Sequence, residues 1–181
     1  MLENKGTLWN IQASTDQLNR LDKYISLLIT YSQKFNLISK NDITDIFNLH
    51  ILDSLEALAH IPKHIGLTLL DVGSGAGLPG IPISIVLTGC NIILLEKSSK
   101  KCEFLKSIKT KLSLDNISII NETIEDFSKH ENHCIDILLF RAVKSFPECR
   151  KLSKTFLERG AGLIYFNKRS GTAGDKFIIH P

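Results

Sequence analysis

The chain has 181 residues, 43% of them hydrophobic and 23% charged, with a net charge of +3. That is enough for one domain with a full core, and an ordinary composition for a water-soluble globular protein. It excludes a membrane-spanning chain, because no apolar run approaches the ~18–20 residues that cross a bilayer. The first ten residues, Met1–Asn10, carry no basic-then-apolar targeting pattern, so a cytoplasmic location is expected. Cys90, Cys102, Cys134 and Cys149 form no C-x-x-C pair and no zinc spacing, and no H-E-x-x-H helix is present. The cysteines therefore read as free thiols in or near the core, and no metal site is expected.

Two helical segments come first. Ser14-Thr-Asp-Gln17 has the form of a capping box, and Leu18, Leu21, Ile25, Leu28 and Phe35 recur near helical spacing after it. A second amphipathic pattern runs from about Asp42 to His60, with Phe47, Ile51, Leu55 and Leu58 on one face and Pro62 ending it. From Leu67 the pattern changes. Thr68–Val72 reads as a buried strand and Pro79–Leu87 as a helix. Asn91–Leu95 is a second strand, Lys97–Leu112 a helix and Ile117–Ile120 a third strand. Ile135–Phe140 is a fourth strand, Phe146–Glu158 a helix stopped at Gly160, and Leu163–Phe166 a fifth strand. This alternation predicts an α/β fold with a doubly wound, mostly parallel sheet, preceded by N-terminal helices. Ligands then bind at the carboxyl ends of the strands. The division expected is one domain over 1–181, with a helical segment over 1–65 and a ligand-binding core over 66–181.

The chemistry concentrates after the first strand, in Asp71-Val-Gly-Ser-Gly-Ala-Gly-Leu-Pro-Gly80. Gly73, Gly75 and Gly77 remove Cβ atoms where a ligand approaches the backbone. A dinucleotide motif wants a small sixth residue for close helix packing, and Leu78 stands there. S-adenosylmethionine has no pyrophosphate, and Asp71 suits its cationic end. Glu96 ends the second strand 25 residues after Asp71, where an acid can accept from both ribose hydroxyls. Ile124 and Glu125 follow the third strand and would line the adenine side, or simply start a helix. Arg141 ends the fourth strand; it could hold a phosphate, stack on a base, touch the donor carboxylate, or only close the strand. His50, Asp53 and Ser54 share one helical side. They fit a structural hydrogen bond better than a catalytic constellation. Between Lys97 and Lys111 six lysines face one acid, a basic stretch that could hold RNA phosphates or merely a solvated helix face.

Together these residues resemble the ribosomal small subunit methyltransferase G family, also called glucose-inhibited division protein B. The resemblance runs through Tyr31-Ser-Gln-Lys-Phe-Asn-Leu37, His50-Ile-Leu-Asp-Ser-Leu55, Leu70–Pro82, Leu95-Glu-Lys-Ser-Ser-Lys-Lys-Cys102 and Arg141-Ala-Val143. It implies a Rossmann-like class I methyltransferase that transfers a methyl group from S-adenosylmethionine to guanine N7 of 16S ribosomal RNA. It also implies a donor site at Gly73, Leu78, Ile124, Glu125 and Arg141. To these the residue reading adds Asp71, Gly75 and Glu96. No catalytic side chain is required, because N7 carries a lone pair and no proton. The expected partner is 16S ribosomal RNA or the small subunit, with the protein a monomer. The chain departs from the family at Tyr31 and Ser32. After the fifth strand it leaves room for one short strand, Phe177–His180, where a complete fold has a further helix and a strand pair. The second reading that stays open is a methyltransferase-like protein that binds RNA or donor and is inactive through this shortened C-terminus. The third is a nicotinamide-dependent oxidoreductase, which Leu78 disfavours.

Overall fold

The computed structural model describes residues 13–35, 37–129, 134–167 and 177–180. Met1–Asn10, Asn36 and most of the tail after Gly171 lie outside the described residues.

Helix α1 spans Thr15–Phe35. Its capping box forms as read: Ser14 N–H donates to Gln17 Oε1 at 2.8 Å, and Gln17 N–H to Ser14 Oγ at 3.2 Å. The second amphipathic stretch is not one helix. It winds as a 3₁₀ turn (Ile43–Asp45), a π-helical turn (Phe47–Leu52), a short α2 (Asp53–Glu56) and a second 3₁₀ turn (Ala57–His60). Two side chains compete for its carbonyls: Ser54 Oγ donates to His50 O, and Arg141 donates to Leu49 O. Such bonds loosen the regular ladder. The inward face is as the periodicity gives it, with Ile51 and Leu55 buried and Phe47 and Leu58 packed at the core edge.

The strands are β1 (Thr68–Val72), β2 (Asn91–Leu95), β3 (Ile117–Ile120), β4 (Ile137–Arg141), β5 (Gly162–Phe166) and β6 (Phe177–His180). Between them run α3 (Gly80–Val86), α4 (Ser99–Leu112), α5 (Ile124–Phe127), α6 (Phe146–Leu152) and α7 (Lys154–Leu157). The helix expected over Phe146–Glu158 is thus interrupted at Ser153, and Pro79 precedes rather than opens α3. The sheet order is β3-β2-β1-β4-β5-β6, parallel except for β6, which pairs antiparallel to β5.

Strand periodicity divides the core in two. Leu69, Ile92, Leu94, Leu139 and Ile164 point to one face, under α1, α3 and α4. Leu70, Leu95, Leu138, Phe140 and Leu163 point to the other, under α5, α6 and α7. Buried on both faces, the central strands read as continuous apolar runs. Strand order reverses at β1, which lies between β2 and β4, and this opens a crevice at the carboxyl ends of β1 and β4. Cys90, Cys102 and Cys149 are free and buried, whereas Cys134 is free but exposed. Among the described residues, no helix is long and apolar enough to cross a membrane.

Helix α4 ends on Ser113, whose backbone is left-handed at φ 51°, ψ 56°. A Cβ is disfavoured there, while glycine adopts it freely at some cost in unfolded-chain entropy. Ser113→Gly should therefore raise stability by about 0.5 kcal/mol, read as a higher urea midpoint at unchanged slope.

Candidate functional site

The loop from β1 to α3 is the centre of the crevice. Gly73, Gly75 and Gly77 all have positive φ, at 71°, 56° and 89°. They serve different ends. A Cβ at Gly77 would run into Ile81 and Leu105, so this glycine lets α3 pack. A Cβ at Gly75 would meet nothing nearer than the Gly73 carbonyl at 3.7 Å and would project into open cavity. That position is a cradle that only a backbone leaves clear.

The loop is held from outside. Leu95 O accepts from Gly73 N–H (2.8 Å) and Ser74 N–H (3.1 Å). Glu96, 5% exposed, accepts from Gly75 N–H at 2.9 Å on one oxygen and from Ser98 N–H at 2.8 Å on the other. A carboxylate offers about four acceptor positions, so two remain for ligand hydroxyls. Asp71 is 1% exposed; its Oδ2 accepts from Gly80 N–H at 3.1 Å. It stands behind the loop and is not among the residues that line these two cavities. Burial pushes its carboxyl up to about 7, against the backbone bond from Gly80, which lowers it.

Two cavities flank the loop. One, of about 390 Å³, is lined by Gly73, Glu96, Ile124 and Glu125. The other, of about 530 Å³, is lined by Gly73, Gly75, Leu78, Arg141, Asp42 and Phe166 among others. They meet along Gly73, Lys101 and Ala142, which line both. Seven of the eight residues predicted for the donor site thus line one or other of these two cavities. Lys101 and Ala142 were not singled out from sequence. Ala142 is left-handed at φ 55°, unusual for a residue with a side chain. A larger cavity of about 750 Å³ lies away from this crevice, between α6, α7 and His180. It touches none of the predicted residues.

Arg141 does not reach into open space. Its side chain is 14% exposed. Nε donates to Asp53 Oδ2 at 3.0 Å, and Nη2 donates to Leu49 O at 2.9 Å and to His50 Nδ1 at 2.8 Å. A guanidinium has no acceptor, so His50 Nδ1 carries the lone pair and Nε2 the proton. That proton is donated to Asp42 Oδ2 at 3.2 Å. Burial, then the Arg141 charge, hold His50 below the ordinary imidazole range and outweigh Asp42. His50 and Asp53 are brought together through Arg141, to which each is hydrogen-bonded.

The lysine run is divided. Lys97 and Lys101 line the crevice. Others clasp α4 to its surroundings: Lys109 Nζ donates to Ile117 O at 2.6 Å, Lys111 Nζ to Tyr31 Oη at 3.2 Å, and Lys100 sits 4.3 Å above the Phe35 ring. Among the described residues, no cluster of three or more His, Cys, Asp or Glu could hold a metal ion.

A Gly-rich turn at a sheet switch point, with an acid ending the next strand, defines the class: a Rossmann-like α/β fold with its crevice at the carboxyl ends of the strands. Solved structures agree on that fold. Precorrin-6y C5,15-methyltransferase from Geobacter metallireducens GS-15 superposes with TM-score 0.52 at 15% identity, over 72% of this chain and 64% of that one. Coclaurine N-methyltransferase bound to N-methylheliamine and SAH gives 0.51 at 16%, over 62% and 34%. The family model described as rRNA small subunit methyltransferase G matches residues 17–173. The protein named ribosomal RNA small subunit methyltransferase G from Borreliella burgdorferi (strain ZS7) is 38% identical over 157 residues, 86% of this chain and 73% of that protein. The one from Ruthia magnifica subsp. Calyptogena magnifica is 33% identical over 157 residues, 87% and 75%. The chain belongs to the rRNA small subunit methyltransferase G family, a family of S-adenosylmethionine-dependent methyltransferases.

Asp71 gives the site a pH signature. Between about pH 4 and 7 the folded protein keeps this proton and the unfolded chain releases it. Its contribution to stability is therefore lost as pH rises through that window. Asp71→Asn keeps an acceptor for Gly80 N–H without the titration. Comparing urea midpoints at pH 5.5 and 8, the wild type should lose more stability than the variant.

Proposed function

We propose that this chain methylates N7 of a guanine in 16S ribosomal RNA, acting as a monomer in the cytoplasm on the RNA or the small subunit. The division proposed is a single domain over 1–181, with residues 1–65 a helical segment against the donor-binding core, 66–181. The observation that carries the reading is the junction of two cavities along Gly73, Lys101 and Ala142. The smaller one suits an adenosine: Glu96 offers free acceptor positions for ribose hydroxyls, and Ile124 and Glu125 flank the base. Gly73, Gly75 and Leu78 carry the donor toward the larger one, where the acceptor base enters. The donor supplies an electrophilic methyl group on a sulfonium.

The side chains at the junction fit an acceptor that needs no proton removed. His50 has both ring nitrogens engaged and is neutral, and Asp53 is bonded to Arg141. Guanine N7 presents an in-plane lone pair, so the protein has only to align it and exclude water. The base must be turned out of its stack to reach the crevice. Lys97 and Lys101, at the cavity walls, place cations where a phosphate backbone passes.

The test is transfer of labelled methyl from S-adenosylmethionine to small-subunit RNA from cells lacking this protein. The expected product is 7-methylguanosine. Donor binding without transfer to RNA or subunit would overturn the reading in favour of an inactive binding protein. Gly75→Asn, a residue tolerant of left-handed backbone, should fold and weaken donor binding more than about tenfold, measured by calorimetric titration.

A further inference from the structure

The glycine loop has one anchor that lies outside the sheet. Tyr24, in the middle of α1, is fully buried, and its Oη donates to Ala76 O at 2.8 Å. Ala76 sits between Gly75 and Gly77, and it lines the larger cavity with Gly73, Ser74, Gly75 and Leu78. Burial keeps the Tyr24 hydroxyl protonated, well above the ordinary phenol range, so it stays a donor. The phenol is enclosed and 52 residues distant in sequence from the carbonyl it holds.

Two turns earlier on the same helix, Gln17 Nε2 donates to Ile85 O (3.0 Å) and Val86 O (3.1 Å). Helix α1 thus grips the loop–α3 unit at both ends. The grips differ in what they fix. Gln17 holds the far end of α3, and neither Ile85 nor Val86 lines a cavity of the crevice. Tyr24 fixes a peptide group between two glycines at positive φ, at the ligand-facing turn. A loop with such freedom loses its shape most easily where one bond sets one peptide plane.

We propose that Tyr24 is a positioning residue for the methyl donor: acting through Ala76, it holds the Gly73–Leu78 backbone in the shape that binds donor. This rests on the donor site argued above. Tyr24→Phe keeps the ring and its packing and removes only the donated bond. The donor dissociation constant should rise about five- to tenfold, while kcat and the RNA KM stay within about twofold. Amide hydrogen exchange at Gly75–Leu78 should quicken in the folded variant, while that of β1 stays slow. Gln17→Ala is the comparison: it loses two bonds from α1 to α3, and its donor dissociation constant should stay within about twofold of wild type.

Unchanged donor affinity in Tyr24→Phe, or an equal loss in Gln17→Ala, overturns the proposal. So does loop exchange that does not change. A wild-type protein that binds no donor would sink the methyltransferase reading instead, and the exchange measurement would still decide whether Tyr24 sets the loop.

Discussion

The turn from β1 to α3 lines a cavity largely with backbone, so it has few side chains with which to hold itself. Three glycines at positive φ make the turn possible and also make it floppy in isolation. Its shape is imposed by neighbours. Leu95 O holds its first two amides, Glu96 holds Gly75, Asp71 holds Gly80 and Tyr24 holds Ala76. Two of these are bonds to carboxylates in buried positions, the stronger kind, worth roughly 1.5–3 kcal/mol each when the acceptor is charged. The rest of the fold is arranged to present those anchors. Parallel pairing in register sets Asp71 beside Leu94 and brings the Leu95–Glu96 end against the loop. Packing of α1 over α3 and α4 brings Tyr24 underneath it.

The same constraint explains why acids are found here at two depths. Glu96 is bonded on both oxygens and still lines a cavity. Asp71 is buried behind the loop and holds the start of α3. Its carboxyl is held near neutrality because burial outweighs its backbone bond. Replacing the pair by apolar residues would leave the amides of Gly75 and Gly80 without these acceptors.

Much of this was legible in sequence because it depends on local spacing. The Gly-rich string, the acid ending β2 and the strand–helix alternation each live within a few residues, and the crevice collects seven of the eight residues named from them. What was not legible depends on contacts far apart along the chain. Tyr24 reads as one more residue on an amphipathic helix; the only hint is that a tyrosine on a buried face needs a partner for its hydroxyl. The depth of Asp71 is invisible in the motif, since the same letters suit an acid in front of the loop or behind it. The second helical stretch kept its inward face but not its regularity, because Arg141, some ninety residues later, takes a carbonyl from it. The lysine run looked like one surface and is several, because Tyr31, Phe35 and Ile117 each claim a member.

Arg141 shows how the N-terminal segment becomes part of the site without supplying a reactive group. Its guanidinium is spent on Asp53, Leu49 and His50, which come from the π-helical turn and the start of α2. An arginine–carboxylate pair this enclosed gains little net stability, since desolvation offsets most of the attraction. What it does gain is position: β4 ends where the 43–60 segment is fastened, and the wall of the larger cavity is built at that junction. The bond to His50 Nδ1 then fixes the imidazole tautomer, and Asp42 accepts a hydrogen bond from Nε2–H. With their hydrogen bonds taken up in this way, these groups shape the cavity wall rather than stand poised as bases. His50 and Asp53, which share one helical side in the sequence, thus hold this wall of the cavity in place through Arg141.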